Sequence, residues 1–215
     1  MGTPPAIPAV ASPEGTTATR ILDVAEELFA ERGFAAVSVR EIAGRVGLNQ
    51  ASIYNHFSSK QALYEAVLER GFAPIRRLLE SADIDGAESG DAFLEALVGQ
   101  LWQTPNLPKL LQREILDDGP YFERLAEQWL RPIVAAGREA MAAANPRLSW
   151  EERDIPFVIL GMYGFLFGHF TSAALARRVL GVEPQSPEMR RAQTDFLKKA
   201  TRRLMGMPEP SPSPG

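Results

Sequence analysis

The chain has 215 residues, 45% of them hydrophobic and 23% charged, enough for one or two modest domains with a sizeable core. It contains no cysteine, which excludes disulfides and thiolate metal sites and suits a reducing cytoplasmic setting. The net charge of −4 argues at first sight against a nucleic-acid partner. Only local charge meets phosphates, however, and between Arg32 and Lys60 the sole acid is Glu41, against Arg32, Arg40, Arg45 and Lys60.

Residues 1–16 are rich in Pro and Ala, without a basic stretch or a long apolar run, and are expected to form a disordered arm rather than a signal peptide. A first helix is expected over 17–31, with Ile21, Ala25, Leu28 and Phe29 inward and Gly33 beyond its end. Ser38 and Glu41, three apart, make a capping box that opens a second helix. Val39, Ile42, Ala43 and Val46 give that helix one apolar face. Gly47 suits a positive-φ turn, and Asn49 can cap a third helix over 50–56. Helix, glycine turn and short polar-faced helix is the helix-turn-helix plan, whose second helix enters the DNA major groove.

The third helix, QASIYNH, commits only Ile53 to a core. Gln50, Ser52, Tyr54, Asn55 and His56 carry donors or acceptors, and Ala51 is small enough for close approach to a groove wall. Gln and Asn can bond adenine bidentately, and Ser can bond base edges or phosphate. The same pattern also fits a short solvated amphipathic helix.

A longer helix is expected over 59–82, opened by Ser58 or Ser59, with Ala62, Leu63, Ala66 and Val67 inward. The run SADIDGAESGD breaks the pattern and reads as a loop before a second domain. Helices are then expected over 91–103, 107–117, 121–144, 150–180 and 186–205. Turns at 104–106, 118–120, 145–146 and 181–185 separate them. No period-2 run competes, so the fold class is all-α, with the later helices forming an antiparallel bundle. The tail 207–215 reads as solvated.

Residues 155–176 contain no Lys, Arg, Asp or Glu and reach the usual length of a spanning helix. Pro156, His169, three glycines and several hydroxyls favour a buried bundle helix instead, so no membrane is expected. In this helix Gly164, Gly168, Ser172 and Ala176 recur every fourth position, with Gly161 adjoining. Glycine in a helix costs about 1 kcal/mol each, so the stripe implies close packing, either within one subunit or against another.

The runs Leu28–Gly33–Phe34, Val37–Ala43 and Ile53–Phe57 with Lys60 closely resemble the N-terminal DNA-binding domain of the TetR family of transcriptional regulators. The resemblance covers about a third of the chain. It implies a helix-turn-helix head over 17–60, a connecting helix over 61–82, and an effector-binding and dimerisation domain over 83–206. It implies double-stranded operator DNA, a small-molecule effector and a second copy of the chain as partners. By carry-over, Tyr54, His56 and Lys60 are expected on phosphates. Gln50, Ala51, Ser52 and Asn55 are expected to face bases, with Arg40 reaching a guanine or the backbone and Ser38 beside them. The small-residue stripe is expected at a symmetric dimer interface with helix 186–205.

The opposite face of the same helix, with Met162, Phe165, Leu166 and His169, would then join Phe93, Trp102, Leu110, Phe122 and Trp129 around an apolar pocket. Tyr121, Gln112, Glu114 and His169 are its available polar anchors. No catalytic residue, metal or cofactor is expected. The only histidines, His56 and His169, lie apart, and HExxH, GxSxG and phosphate-loop signatures are absent. The function expected is a repressor released from a palindromic operator by an apolar or aromatic effector. An activator of the same fold, or a DNA-independent helical dimerisation scaffold, is the alternative.

Overall fold

A computed structural model of the chain describes residues 16–81, 87–117, 119, 121–132, 134–135, 138–139 and 150–204. The arm 1–15, the loop 82–86, positions 118 and 120, the turn 145–146 and the tail 207–215 lie outside the described residues, as does the side chain of Trp129. Helix α1 spans Thr17–Ala36. Helices α2, Val39–Val46, and α3, Gln50–Tyr54, follow. Helix α4 is Lys60–Ser81, α5 Ala87–Gln103 and α6 Leu107–Leu116. Helix α7 starts as an α-turn, Phe122–Leu125, and passes directly into a π-helix, Ala126–Leu130. Helices α8, Ile155–Thr171, α9, Ala173–Arg178, and α10, Pro187–Leu204, complete the described elements.

Side-chain caps open α1, α2, α3, α4 and α10. The hydroxyls of Thr16, Ser38, Ser59 and Ser186 accept from the amides of Thr19, Glu41, Ala62 and Met189 at 3.3, 3.2, 3.0 and 3.1 Å. Several expectations needed correction. Helix α1 runs to Ala36, but Gly33, expected beyond the end of the first helix, is indeed non-helical at φ 78° and ψ 168° and separates two helical pieces. Only half of the capping box forms, because Arg32 takes the Glu41 carboxylate that would have reached back to Ser38. Helix α3 ends at Tyr54, and α5 begins at Ala87 rather than at 91. The expected helix over 121–144 is interrupted by the π-helical turn. The one over 150–180 starts at Ile155, after which Pro156 fits the first turn, and breaks at Ser172, where φ is −110° and ψ 27°.

Helices α1 to α4 close a small core of Ile21, Ala25, Phe29, Ile42, Val46, Ile53, Leu63 and Val67. The inward face of α4 is Leu63, Tyr64, Val67 and Leu68, while Ala62 and Ala66 are only half-buried. That core runs on without a break through Phe72 and Ile75 to Val98, Leu101, Leu107, Leu111, Phe170 and Leu197 of the later helices. Phe29, Phe34, Tyr64 and Tyr121 form an aromatic cluster where the two parts meet, with Phe34 and Tyr121 5.3 Å apart at 71°. Helix α10 is tied to α5 by Arg202, which grips Asp91 (2.7 Å), and by Lys198 on Glu95 (2.6 Å).

Candidate nucleic-acid interface

Gly47 has φ 79° and ψ 30°, and its backbone N–H caps α2 while the chain reverses into α3. Asn49 Oδ1 accepts the Ser52 backbone N–H at 2.8 Å and the Ser52 hydroxyl at 3.0 Å. A five-residue helix cannot hold itself together in water; this one is held by that cap and by Ile53, which is its only buried residue. Gln50, Ala51, Tyr54, Asn55 and His56 are exposed around it, together with Ser38 and Arg40 from the start of α2. Tyr54 leaves 44% of its surface open. Seven of the nine expected DNA-facing residues are thus exposed, with Gln50 Nε2 donating to the Tyr54 hydroxyl at 3.4 Å.

The other two, Ser52 and Lys60, are half-buried. The Ser52 hydroxyl donates to Asn49. The Lys60 ammonium lies 4.3 Å above the Phe34 ring, and desolvation lowers its pKa. The basic character of the head is also thinner than the sequence implies. Arg32 pairs with Glu41, Arg45 approaches Glu27 at 3.9 Å, and Arg70 binds Asp23 and Glu26. Arg40 is exposed and carries no ion pair among the described residues.

The expected effector residues do not converge. Trp102 packs edge-on to Phe170 (5.4 Å, 65°) and against His169 (5.0 Å), and its indole N–H donates to Gln193 Oε1 at 2.9 Å. His169 Nε2 is 2.7 Å from the Pro184 carbonyl, and burial lowers its pKa against that contact. Leu110 is core, and Glu114 is buried against Tyr64. Met162 Sδ meets Thr201 of α10, while Phe93, Phe122 and Leu166 are half-buried and Gln112 likewise. Phe165 was expected on the inner face. It points outward and meets Phe196 of α10 edge-on at 5.7 Å, because forty degrees along the helix separates it from Gly161 rather than half a turn.

A different concavity opens between α4 and α7, with a volume of about 410 Å³. Ala62, Ala66, Leu68, Leu125 and Tyr121 make its apolar wall, and Glu65, Glu69, Arg124 and Gln128 its polar one. Arg124 bridges it to Glu65 at 2.9 Å. Burial, then the charges of Glu65 and Glu114, raise the Tyr121 pKa.

The small-residue stripe faces outward. Gly161, Gly164 and Gly168 have no atom within 4 Å of an added Cβ. Phe157 and Leu160 on the same side are 73% and 65% exposed, and Ser172 and Ala176 continue the row half-buried past the break. No described helix is long and apolar enough to cross a membrane. Among the described residues, no group of three or more His, Asp or Glu is placed to hold a metal ion.

Residues 21–67 match the model of the bacterial regulatory proteins of the tetR family. The HTH-type transcriptional repressor Rv3405c of Mycobacterium tuberculosis is 42% identical over 106 residues, 44% of this chain and 56% of that protein. The HTH-type transcriptional repressor KstR2 of Rhodococcus jostii is 48% identical over 54 residues, 25% of this chain and 26% of that protein. The chain thus spans little more than half the length of the first and about a quarter of the second. In fold it is similar to Mycobacterium smegmatis AmtR (TM-score 0.65, 20% identity, 93% of this chain and 91% of that one). It is similar also to the ketosteroid transcriptional regulator KstR2 of Mycobacterium tuberculosis (TM-score 0.64, 18% identity, 92% and 97%). Residues 21–67 thus match the tetR family of bacterial regulatory proteins, and the chain shares its fold with these solved structures.

Proposed function

We propose that this chain is a cytoplasmic, ligand-responsive transcriptional regulator, a repressor that binds a palindromic operator as a homodimer. The observation that carries the reading is α3, a helix too short to stand alone, held rigid by a cap and one buried isoleucine so that its polar residues stay in water. Such preorganised donors and acceptors suit base edges, while phosphate contacts set register. In this division of labour residues 17–60 read DNA, 61–82 connect, and 83–206 dimerise and bind the effector. Tyr54, His56 and Lys60 serve phosphates; Gln50, Ala51, Ser52, Asn55 and Arg40 serve bases, beside Ser38. For Lys60 that role requires leaving the Phe34 ring.

The outward stripe of α8, with Phe165 and Phe196 beside it, is the surface on which a second copy would pair, since a helix surrendering side chains along one line lets another come close. The effector would be a small apolar or aromatic molecule entering between α4 and α7, where an apolar wall with a few polar groups has the dimensions of a ligand site. An occupant there shifts the equilibrium between two head positions only by its differential affinity for them.

Selection of binding sites from random duplexes, followed by gel shifts at several salt concentrations, tests the reading. A palindromic site with steep salt dependence is expected. Tyr54→Ala should weaken all sites alike, whereas Gln50→Ala should also relax discrimination at one base pair, by about 1–3 kcal/mol. No selected site, or binding indifferent to salt, would leave a helical scaffold instead.

A further inference from the structure

Helix α6 lies across the head along both α1 and α4. At its start Asn106 Nδ2 donates to Glu26 Oε1 (3.3 Å), and Leu107 closes on Gly71, where an added Cβ would come within 2.8 Å of Leu107 Cδ1. Two turns later Arg113 donates from Nε to the Ala30 carbonyl (2.9 Å) and from its other nitrogen to the Glu31 carbonyl. These are among the carbonyls that the kink at Gly33 strips of their helical partners. The next residue, Glu114, is 4% exposed. It accepts the Tyr64 hydroxyl of α4 at 2.5 Å and the Tyr121 backbone N–H at 3.2 Å. Gly119 makes the room, since a Cβ there would overlap the carboxylate. Burial, together with the hydrogen bond to Glu114, holds the Tyr64 hydroxyl protonated well above its ordinary range.

A second observation says what these contacts restrain. Arg70 locks the first half of α4 to α1 through Asp23 (2.6 Å) and Glu26 (2.5 Å), so the head extends as one piece to about that residue. One turn further, Pro74 sits inside α4 and removes the hydrogen bond to the Arg70 carbonyl. A helix bends most cheaply at such a point. The covalent link between head and body is therefore weakest just beyond Arg70, and α6 spans that point from outside.

We propose that Arg113 and Glu114 are positioning residues that set the tilt of the head on the body, and thereby the half-site spacing that the dimer accepts. This rests on the reading of the chain as a dimeric operator binder. Each base pair inserted between half-sites moves the second one by about 3.4 Å and turns it by about 35°. A head held at α1 and α4 together cannot follow; a head free to bend at Pro74 can.

The test uses the full-length chain and an operator selected by it, with the half-site separation lengthened or shortened by one base pair. Affinities are read by gel shift for Arg113→Met, Arg113→Lys and Tyr64→Phe, alongside their melting temperatures. The wild-type chain should lose at least about tenfold in affinity per altered base pair. Arg113→Met and Tyr64→Phe should bind the matched operator within about threefold of wild type but lose most of the spacing penalty. Arg113→Lys, which still donates to one carbonyl, should regain part of it. Arg113 is only half-buried, so its variants decide the matter if Tyr64→Phe does not fold. Folded variants that keep the full penalty, or that weaken every spacing equally, would overturn the positioning role alone. A wild-type chain that selects no duplex would overturn the operator reading and this inference with it.

Discussion

Helices α3 and α8 both present a long edge to solvent, and the contrast between them organises the molecule. Helix α3 has five residues, buries Ile53, and exposes the Gln50 amide and the Tyr54 phenol, with Asn55 and His56 exposed just past its end. Helix α8 has seventeen, buries Val158 and Phe170, and exposes Phe157, Leu160 and a line of glycines. The first edge costs nothing to leave in water and is shaped for hydrogen bonds. The second forfeits about 25 cal/mol for each Å² of apolar surface left wet, and gains by meeting its like. Exposure is therefore not one property: the proposed function assigns the polar edge of a short, externally held helix to DNA and the apolar edge of a long one to a second copy.

The strongest way to break this comparison is at the stripe. Replacing Gly161 and Gly164 together with arginine should convert a dimer to a monomer in sedimentation analysis. Operator affinity should then drop about a hundredfold or more, because two linked heads become one. An unchanged mass would move the interface elsewhere. The head offers the next largest effect. Gly33 occupies a region of φ/ψ open essentially to glycine, so Gly33→Ala should cost about 1–3 kcal/mol, seen as a lower melting temperature. An unaltered melt would mean that the α1 kink is not held in solution.

The smallest effect concerns the inner side of α8. Desolvation lowers the His169 pKa below the ordinary 6.5, opposed by the Pro184 carbonyl. The folded chain then takes up this proton less readily than the unfolded one. The stability contributed by the neutral ring is complete above about pH 6.5 and is lost as pH falls through that value toward the lowered folded one. His169→Gln should flatten the difference in melting temperature between about pH 7.5 and about pH 5.5. An identical pH profile in the variant would place the ring in water and reopen this face as a pocket wall.

Much of the head was legible in the chain because its signals are local. Ser38 and Asn49 accept from amides three residues on, and the Gly47 N–H donates to carbonyls three and four residues back, so their spacing is visible in one dimension. The exposure of Gln50, Ala51 and Tyr54 was legible for the same reason, since one buried residue in a polar helix fixes which side is out. The effector residues were not. Periodicity says that Trp102 and His169 face inward but not whether they meet a cavity or each other, and here the two rings meet at 5.0 Å. Phe165 faces outward because four residues along a helix place it about 40° from Gly161, beside the stripe and not opposite it. Tyr64 was passed over because a phenol on a long helix reads as a snorkelling surface group until Glu114 closes over it.

The amino-acid order by itself determined where most helices lie, the caps at Ser38 and Asn49, the glycine turn between α2 and α3 and the polar character of α3, because each depends on neighbours within about one helical turn. Tertiary structure alone decided which acid holds Arg32, that Lys60 rests on Phe34, that α6 reaches both α1 and α4, and where a concavity opens. Those are distances between elements far apart in the chain, and no periodicity carries them.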